Sequence, residues 1–129
     1  MTSRFVEEGK VRFLGLSEVS GDIKTPDDFG PNDSRRWVPR YQGENFYKNL
    51  ALVERLQALA QAKGVTAAQL ALAWVLAQGV GAMPGAKRRQ YLEQNVAAAS
   101  IVLSPAERVE LEAITPVGSS VGAAYSEGF

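Results

Sequence analysis

Three consecutive cations, Lys87, Arg88 and Arg89, follow a Pro84-Gly85 turn in the stretch MPGAKRRQYLEQN, residues 83–95. The residues after the turn have helix-forming composition, so the cations fall at a helix N-terminus. Positive charge there opposes the helix macrodipole and costs about 0.3–1 kcal/mol per exposed group. An anion would remove the conflict. Free backbone N–H groups, the dipole and three cations would converge on a phosphate, and Gly85 would let the backbone approach it closely. The same residues also read as a solvated basic turn with no ligand, because short basic runs are common on surfaces.

Other chemistries are excluded by composition. The chain has no cysteine and no histidine. Disulfides, thiolate nucleophiles and cysteine metal sites are therefore absent, as are the commonest general base and every Ser-His-Asp arrangement. Any proton transfer would rest on Asp, Glu, Lys or Tyr. Fourteen basic residues balance fourteen acidic ones, so no net field steers the chain to nucleic acid or to an anionic membrane. Lys87–Arg89 lacks an aromatic platform of the kind single-stranded nucleic acid stacks on. No window reaches about 18 uninterrupted apolar residues, so no membrane span is expected. The opening MTSRFVEEGK has acids and no apolar core, unlike a signal peptide. A cytoplasmic location is the expectation.

The elements that must position the basic turn follow from periodicity. The length of 129 residues suits one domain with a real core. Residues 4–9 read as a helix end closed at Gly9, and VRFLGLS, residues 11–17, as a short buried parallel strand. Residues 20–44 hold three prolines and several Gly, Asp, Asn and Ser, which is turn chemistry in an unusually long loop. Arg35, Arg36 and Arg40 lie in it. From Asn45 an apolar stripe of Phe46, Leu50, Val53, Leu56 and Ala60 predicts a helix ending at Gly64. Thr66 and Gln69 form a capping box for TAAQLALAWVLAQG, a helix apolar nearly all round. In it Leu70, Leu72, Trp74, Val75 and Leu76 need burial.

Residues 80–84 suit a second short strand. A helix is expected from Lys87 to about Ala99, with Leu92, Val96 and Ala99 on one face. Ser104, Pro105 and Glu107 open a last helix that Thr115-Pro116 ends. The tail VGSSVGAAYSEGF, residues 117–129, is small and polar and is expected to be poorly ordered. The sum is four or five helices with about two short strands.

Four blocks in order carry a resemblance. GKVRFLGLSE, residues 9–18, resembles the fifth barrel strand of aldo/keto reductases. FYKNLALVERLQALAQAKGVTAAQLALAWVLAQG, residues 46–79, is similar to their seventh helix region. PGAKRRQYLEQN, residues 84–95, looks like their cofactor motif after the eighth strand, and SPAERVELEAI, residues 104–114, continues the match. The resemblance implies an α/β fold, part of a (β/α)8 TIM barrel, as a single incomplete domain over residues 1–129. Residues 1–18 would be the strand-five region, 20–44 the long loop, and 45–129 the C-terminal helices, strand eight and the cofactor motif. Barrels of this type form phosphate sites after strands seven and eight.

By that resemblance the activity is NADP-dependent reduction of an aldehyde or ketone to an alcohol. Gly85, Ala86, Lys87 and Arg88 would hold the 2′-phosphate and adenosine ribose of NADP(H). Gln94 and Asn95 would hold the adenine edge, with Gln94 standing where the family usually has Glu. Ser17 would meet the nicotinamide carboxamide. The family's catalytic Asp, Tyr, Lys and His match no position here. None of Tyr41, Tyr47, Tyr91 and Tyr125 falls in the proton donor's region, so the chain is expected to be inactive alone. About fifty to sixty residues of the barrel plan are expected to be missing near residues 19–21. A non-enzymatic helical module, docking through residues 66–79 to a partner or to a second copy, or a non-functional fragment, is the alternative. Uncovered apolar helix faces would favour self-association.

Overall fold

A run of apolar side chains at helical spacing organises the chain around one long helix. The computed structural model describes residues 23–86, 88–116 and 118–123. Helix α1 spans Gly43–Lys63 and buries Phe46, Asn49, Val53, Leu56 and Ala60, at alternating spacings of three and four. Four of the five stripe residues expected from sequence are thus buried, and Leu50 is half-buried. Gly64 ends the helix with φ 74°, in the left-handed region that glycine enters without a Cβ penalty.

Helix α2, Ala67–Ala77, starts three residues later. Its expected capping box is present: Thr66 Oγ1 accepts from the Gln69 N–H at 3.2 Å, and Gln69 Oε1 accepts from the Thr66 N–H at 3.0 Å. Helix α3 spans Arg89–Ala97 and runs into a 3₁₀ turn at Ala98–Ser100. Helix α4, Pro105–Ile114, opens on the expected Ser104–Glu107 box.

The main core lies where α1, α2 and α4 meet. Leu56 and Ala60 of α1 pack with Leu70, Ala73 and Trp74 of α2, with Leu103, and with Leu111 of α4. Burying a leucine fully contributes about 1.5–3 kcal/mol. Leu111 is the only buried residue of α4, so that helix is anchored by a single side chain. One ion pair reinforces it. Lys63 Nζ, at the end of α1, lies 2.6 Å from Glu107 Oε1, while Glu107 Oε2 accepts from the Ser104 N–H at 2.7 Å.

These contacts, the Lys63 ammonium first and the Ser104 N–H second, hold the Glu107 carboxyl at about 2, below its ordinary 4.5. A depressed carboxylate stabilises the fold above its unfolded-state value, and the contribution is lost as pH falls through the folded one. The thermal midpoint should therefore lose a Glu107-dependent part between pH 4.5 and about 2. Glu107→Gln should remove that part of the pH dependence in parallel melts, since it keeps an acceptor for the cap but not the charge.

A second cluster sits in the proline-rich segment, which turns out to be built and not structureless. Three 3₁₀ turns, Pro26–Asp28, Ser34–Trp37 and Pro39–Tyr41, fold residues 23–42 against the start of α1. Phe29 meets Tyr41 and Phe46 edge-to-face at 5.7 and 6.1 Å between ring centroids, a geometry that adds stability beyond area burial. The Arg35 guanidinium lies 4.8 Å over the Phe29 ring and pairs with Asp33 at 2.6 Å. Arg36 Nη1 donates to the Phe29 carbonyl at 2.7 Å. The arginines of the segment are thus partly structural. Asp28 Oδ2 accepts from the Lys24 and Thr25 N–H groups, both at 2.8 Å, and its carboxyl is held below the usual range by them.

Three expectations are corrected. Residues 80–84 form no strand, and no strand occurs among the described residues. A strand exists only by pairing, and no neighbouring edge lies among the described residues. Residues 11–17, the other expected strand, lie outside the described residues. Helix α3 is shorter than expected, beginning at Arg89 and passing into the 3₁₀ turn at Ala98. Its face bearing Leu92 and Val96 is exposed, at 54% and 66%.

The tail provides the third correction. Residues 118–123 lie against the body of the chain, held by the buried Asn49 side chain. Asn49 Nδ2 donates to the Val121 carbonyl at 2.8 Å and to the Arg40 carbonyl at 3.0 Å, and Oδ1 accepts from the Val121 N–H at 2.8 Å. An amide can donate and accept at once, so one asparagine ties the tail, the loop and α1 together. Residues 124–129 lie outside the described residues.

Candidate functional site

The basic turn sits between the end of α2 and the start of α3. Residues 81–86 carry no regular structure and are largely exposed. A Cβ added to Gly85 would meet no heavy atom within 4 Å. Internal packing therefore does not demand a glycine there, and the backbone is open to a ligand. Arg88 is the N-cap residue of α3, with extended φ −116° and ψ 148°, and no side chain caps the helix. The first turn holds no acidic residue. The Tyr91 N–H already donates to the Arg88 carbonyl at 3.0 Å, so the N–H groups of Arg89 and Gln90 are those left for water or for an anion.

The cations separate by role. Arg89 Nε lies 2.9 Å from Glu93 Oε1 across one helical turn, with both side chains well exposed. Such a pair contributes little to stability. The Arg88 guanidinium carbon lies 5.9 Å from the centre of the Tyr91 ring, at the edge of cation–π distance. Its charge is therefore presented at the helix N-terminus beside an aromatic face. Lys87 and Ser17 lie outside the described residues.

Two further candidates lie on α3, of which Asn95 meets the turn. Asn95 Nδ2 donates to the Gly85 carbonyl at 3.2 Å, which brings these two candidate residues together. Gln94 is half-buried, and its backbone carbonyl accepts from Gln69 Nε2 at 3.2 Å. Helix α3 therefore leaves Gln94 and Asn95 half-buried and Leu92 and Val96 exposed. Gly85, Ala86, Arg88, Gln94 and Asn95 occupy one turn and the helix it feeds. Sequence reasoning missed the Gln69 contact; the capping box signalled that the Gln69 side chain was engaged, but not that its second amide atom reaches another helix.

Elsewhere the described residues offer less. No three of their Asp and Glu side chains gather into a possible metal site, and none of their helices is long and apolar enough to cross a membrane. A shallow groove of about 410 Å³ between α1 and α4, lined mainly by Ala58, Leu59, Ala62 and Ile114, touches none of the motif residues.

An uncapped helix N-terminus, preceded by an open glycine turn and bearing an exposed arginine, defines a candidate phosphate-binding turn. The chain belongs to the aldo/keto reductase family, whose model matches residues 21–116. It is 45% identical over 117 residues to the aldo-keto reductase yakc [NADP(+)] of Schizosaccharomyces pombe, covering 89% of this chain and 34% of that protein. Identity is again 45% over 96 residues with the aldo-keto reductase str7 of Strobilurus tenacellus, covering 73% of this chain and 29% of the relative. An aldo-keto reductase of Gibberella moniliformis is 38% identical over 104 residues, covering 81% and 32%. The chain thus spans about a third of the length of the curated relatives it matches. No solved structure matches it. Family membership implies a barrel architecture, of which the described residues supply helices and connecting turns.

Proposed function

We propose that this chain supplies the adenosine-phosphate end of an NADP(H) pocket, in an oxidoreductase that reduces aldehydes or ketones to alcohols. The carrying observation is the uncapped N-terminus of α3 with Arg88 exposed beside it and Gly85 open before it. These groups fit a phosphate: bare N–H donors, a helix dipole and a cation. Gly85, Ala86, Lys87 and Arg88 would hold the 2′-phosphate and ribose. Gln94 and Asn95 would hold the adenine edge, and Ser17 the carboxamide. NADPH, when bound, supplies the hydride for such a reduction. The part of this chain is to bind and orient the nucleotide, with no catalytic residue assigned to it. A cytoplasmic setting is part of this proposal.

The test is a circular-dichroism melt of the chain with and without NADPH. A ligand that binds only the folded state stabilises it by about 2.7 kcal/mol at one hundred times its Kd, which should raise the midpoint by several degrees. Arg88→Ala should abolish the rise without moving the ligand-free midpoint, because the side chain is exposed. A midpoint indifferent to NADPH in the unaltered chain would overturn the proposal.

Helix α2 bears on the docking alternative. It already buries Leu70, Ala71, Ala73 and Trp74 within the chain, so little of it is left for a partner. The exposed Met83, Leu92, Val96 and Val102 remain for self-association, the partner reading that accompanies this proposal. Size-exclusion of the same samples at rising concentration reads it: a monomer at every concentration would remove it.

A further inference from the structure

Gln69 is positioned to do more than cap α2. Its Oε1 is engaged by the Thr66 N–H at 3.0 Å, as in any capping box. Its Nε2 donates in the other direction, to the Gln94 carbonyl 25 positions away, at 3.2 Å. Gln94 precedes Asn95, and Asn95 Nδ2 holds the Gly85 carbonyl. The cap of one helix is therefore connected, through three residues, to the turn that leads into the N-terminus of the next. Helix α3 needs such a support. None of its residues is buried, its apolar side chains Leu92 and Val96 face outward, and the nearest buried side chain is Ala98 just past its C-terminal end, so apolar packing does not fix the end that carries Arg88.

We infer that Gln69 is a positioning residue for the 84–95 motif: its amide N–H holds α3 in the register that places Arg88 and Gly85 together. The inference deepens the nucleotide-binding proposal and rests on it for its consequence, but the positioning itself is independent of any ligand. A glutamate at this position could keep Oε1-type acceptance from Thr66 while losing the donor to Gln94, because carboxylates only accept at neutral pH. Glutamate is also favoured at this place in a capping box. The substitution thus separates the cap from the bridge.

The experiment is amide hydrogen exchange on the 129-residue chain, comparing Gln69→Glu and Thr66→Ala with the unaltered sequence. Gln69→Glu should leave α2 protected and the midpoint little changed, while exchange over residues 89–97 quickens roughly fivefold, the loss expected from one net hydrogen bond. Thr66→Ala should quicken the first turn of α2 without that change in α3. Binding of adenosine 2′,5′-bisphosphate, measured by calorimetry, should weaken in Gln69→Glu. Unchanged exchange in α3, or an equal rise across all four helices, would overturn the inference. Should the unaltered chain bind no bisphosphate, the nucleotide proposal fails, and the exchange result still decides the role of Gln69.

Discussion

Leu111→Ala is expected to destabilise the chain by about 2–5 kcal/mol, the cost of lost transfer energy plus a cavity in a packed core. Leu111 is fully buried and sits in one cluster with Leu56, Leu70, Trp74 and Leu103. It is also the only buried residue of α4. The loss therefore falls on the attachment of a whole helix, which the Lys63–Glu107 pair alone would have to hold. Small domains have about 5–15 kcal/mol in total, so the variant should lose a large share of its stability. Urea titration followed by circular dichroism measures it. Val109→Ala on the same helix, where the side chain is 67% exposed, should change stability by no more than about 0.5 kcal/mol. Equal effects at the two positions would contradict the assigned packing.

Asn49→Ala is expected to cost about 2–3 kcal/mol, because three hydrogen bonds go at once and the Val121 and Arg40 backbone groups lose their partner. Gly122→Ala should act on the same contact from the other side. A Cβ on Gly122 would lie 2.8 Å from both the backbone N and Cα of Arg40, and its φ is +88°. The obstructing atoms are backbone, so the tail must move. Both substitutions release one segment, and the double variant should be little worse than the poorer single one, a non-additivity that a thermodynamic cycle detects. Full additivity would mean that the tail and Asn49 are not coupled.

Local signals in the sequence located most of the helices. Both capping boxes, Thr66–Gln69 and Ser104–Glu107, and the glycine end at Gly64 are found where side-chain chemistry placed them. These depend on residues three or four positions apart, and such spacing is visible in a chain read alone. The stripe from Phe46 to Ala60 was legible for the same reason. The orientation of α3 was not. Helical period groups Leu92 with Val96 and leaves Gln94 and Asn95 elsewhere, but it does not say which group turns inward. That was decided by the Gln69 amide and the Gly85 carbonyl, 25 and 10 positions distant.

The tail misled for a similar reason. Small polar residues predict disorder when their partners are unknown, and here the partner was an asparagine in the middle of a helix stripe. Of the candidate site, the turn and its helix were legible from the cations, the glycine and the helix start. The pairing of Asn95 with Gly85 was not, because it joins two residues through a backbone carbonyl that has no sequence signature.

The tie between Asn49 and Val121 spans 72 positions. Helix contacts form between near neighbours, whereas closing so long a loop costs entropy before any contact rewards it. At 5–20 residues per second of synthesis, Val121 is made about 4–14 s after Asn49. For that interval the Asn49 amide has the Arg40 carbonyl but not Val121 as a partner. The aromatic segment before α1 therefore folds against an unfinished seat, and its native closure waits for Val121.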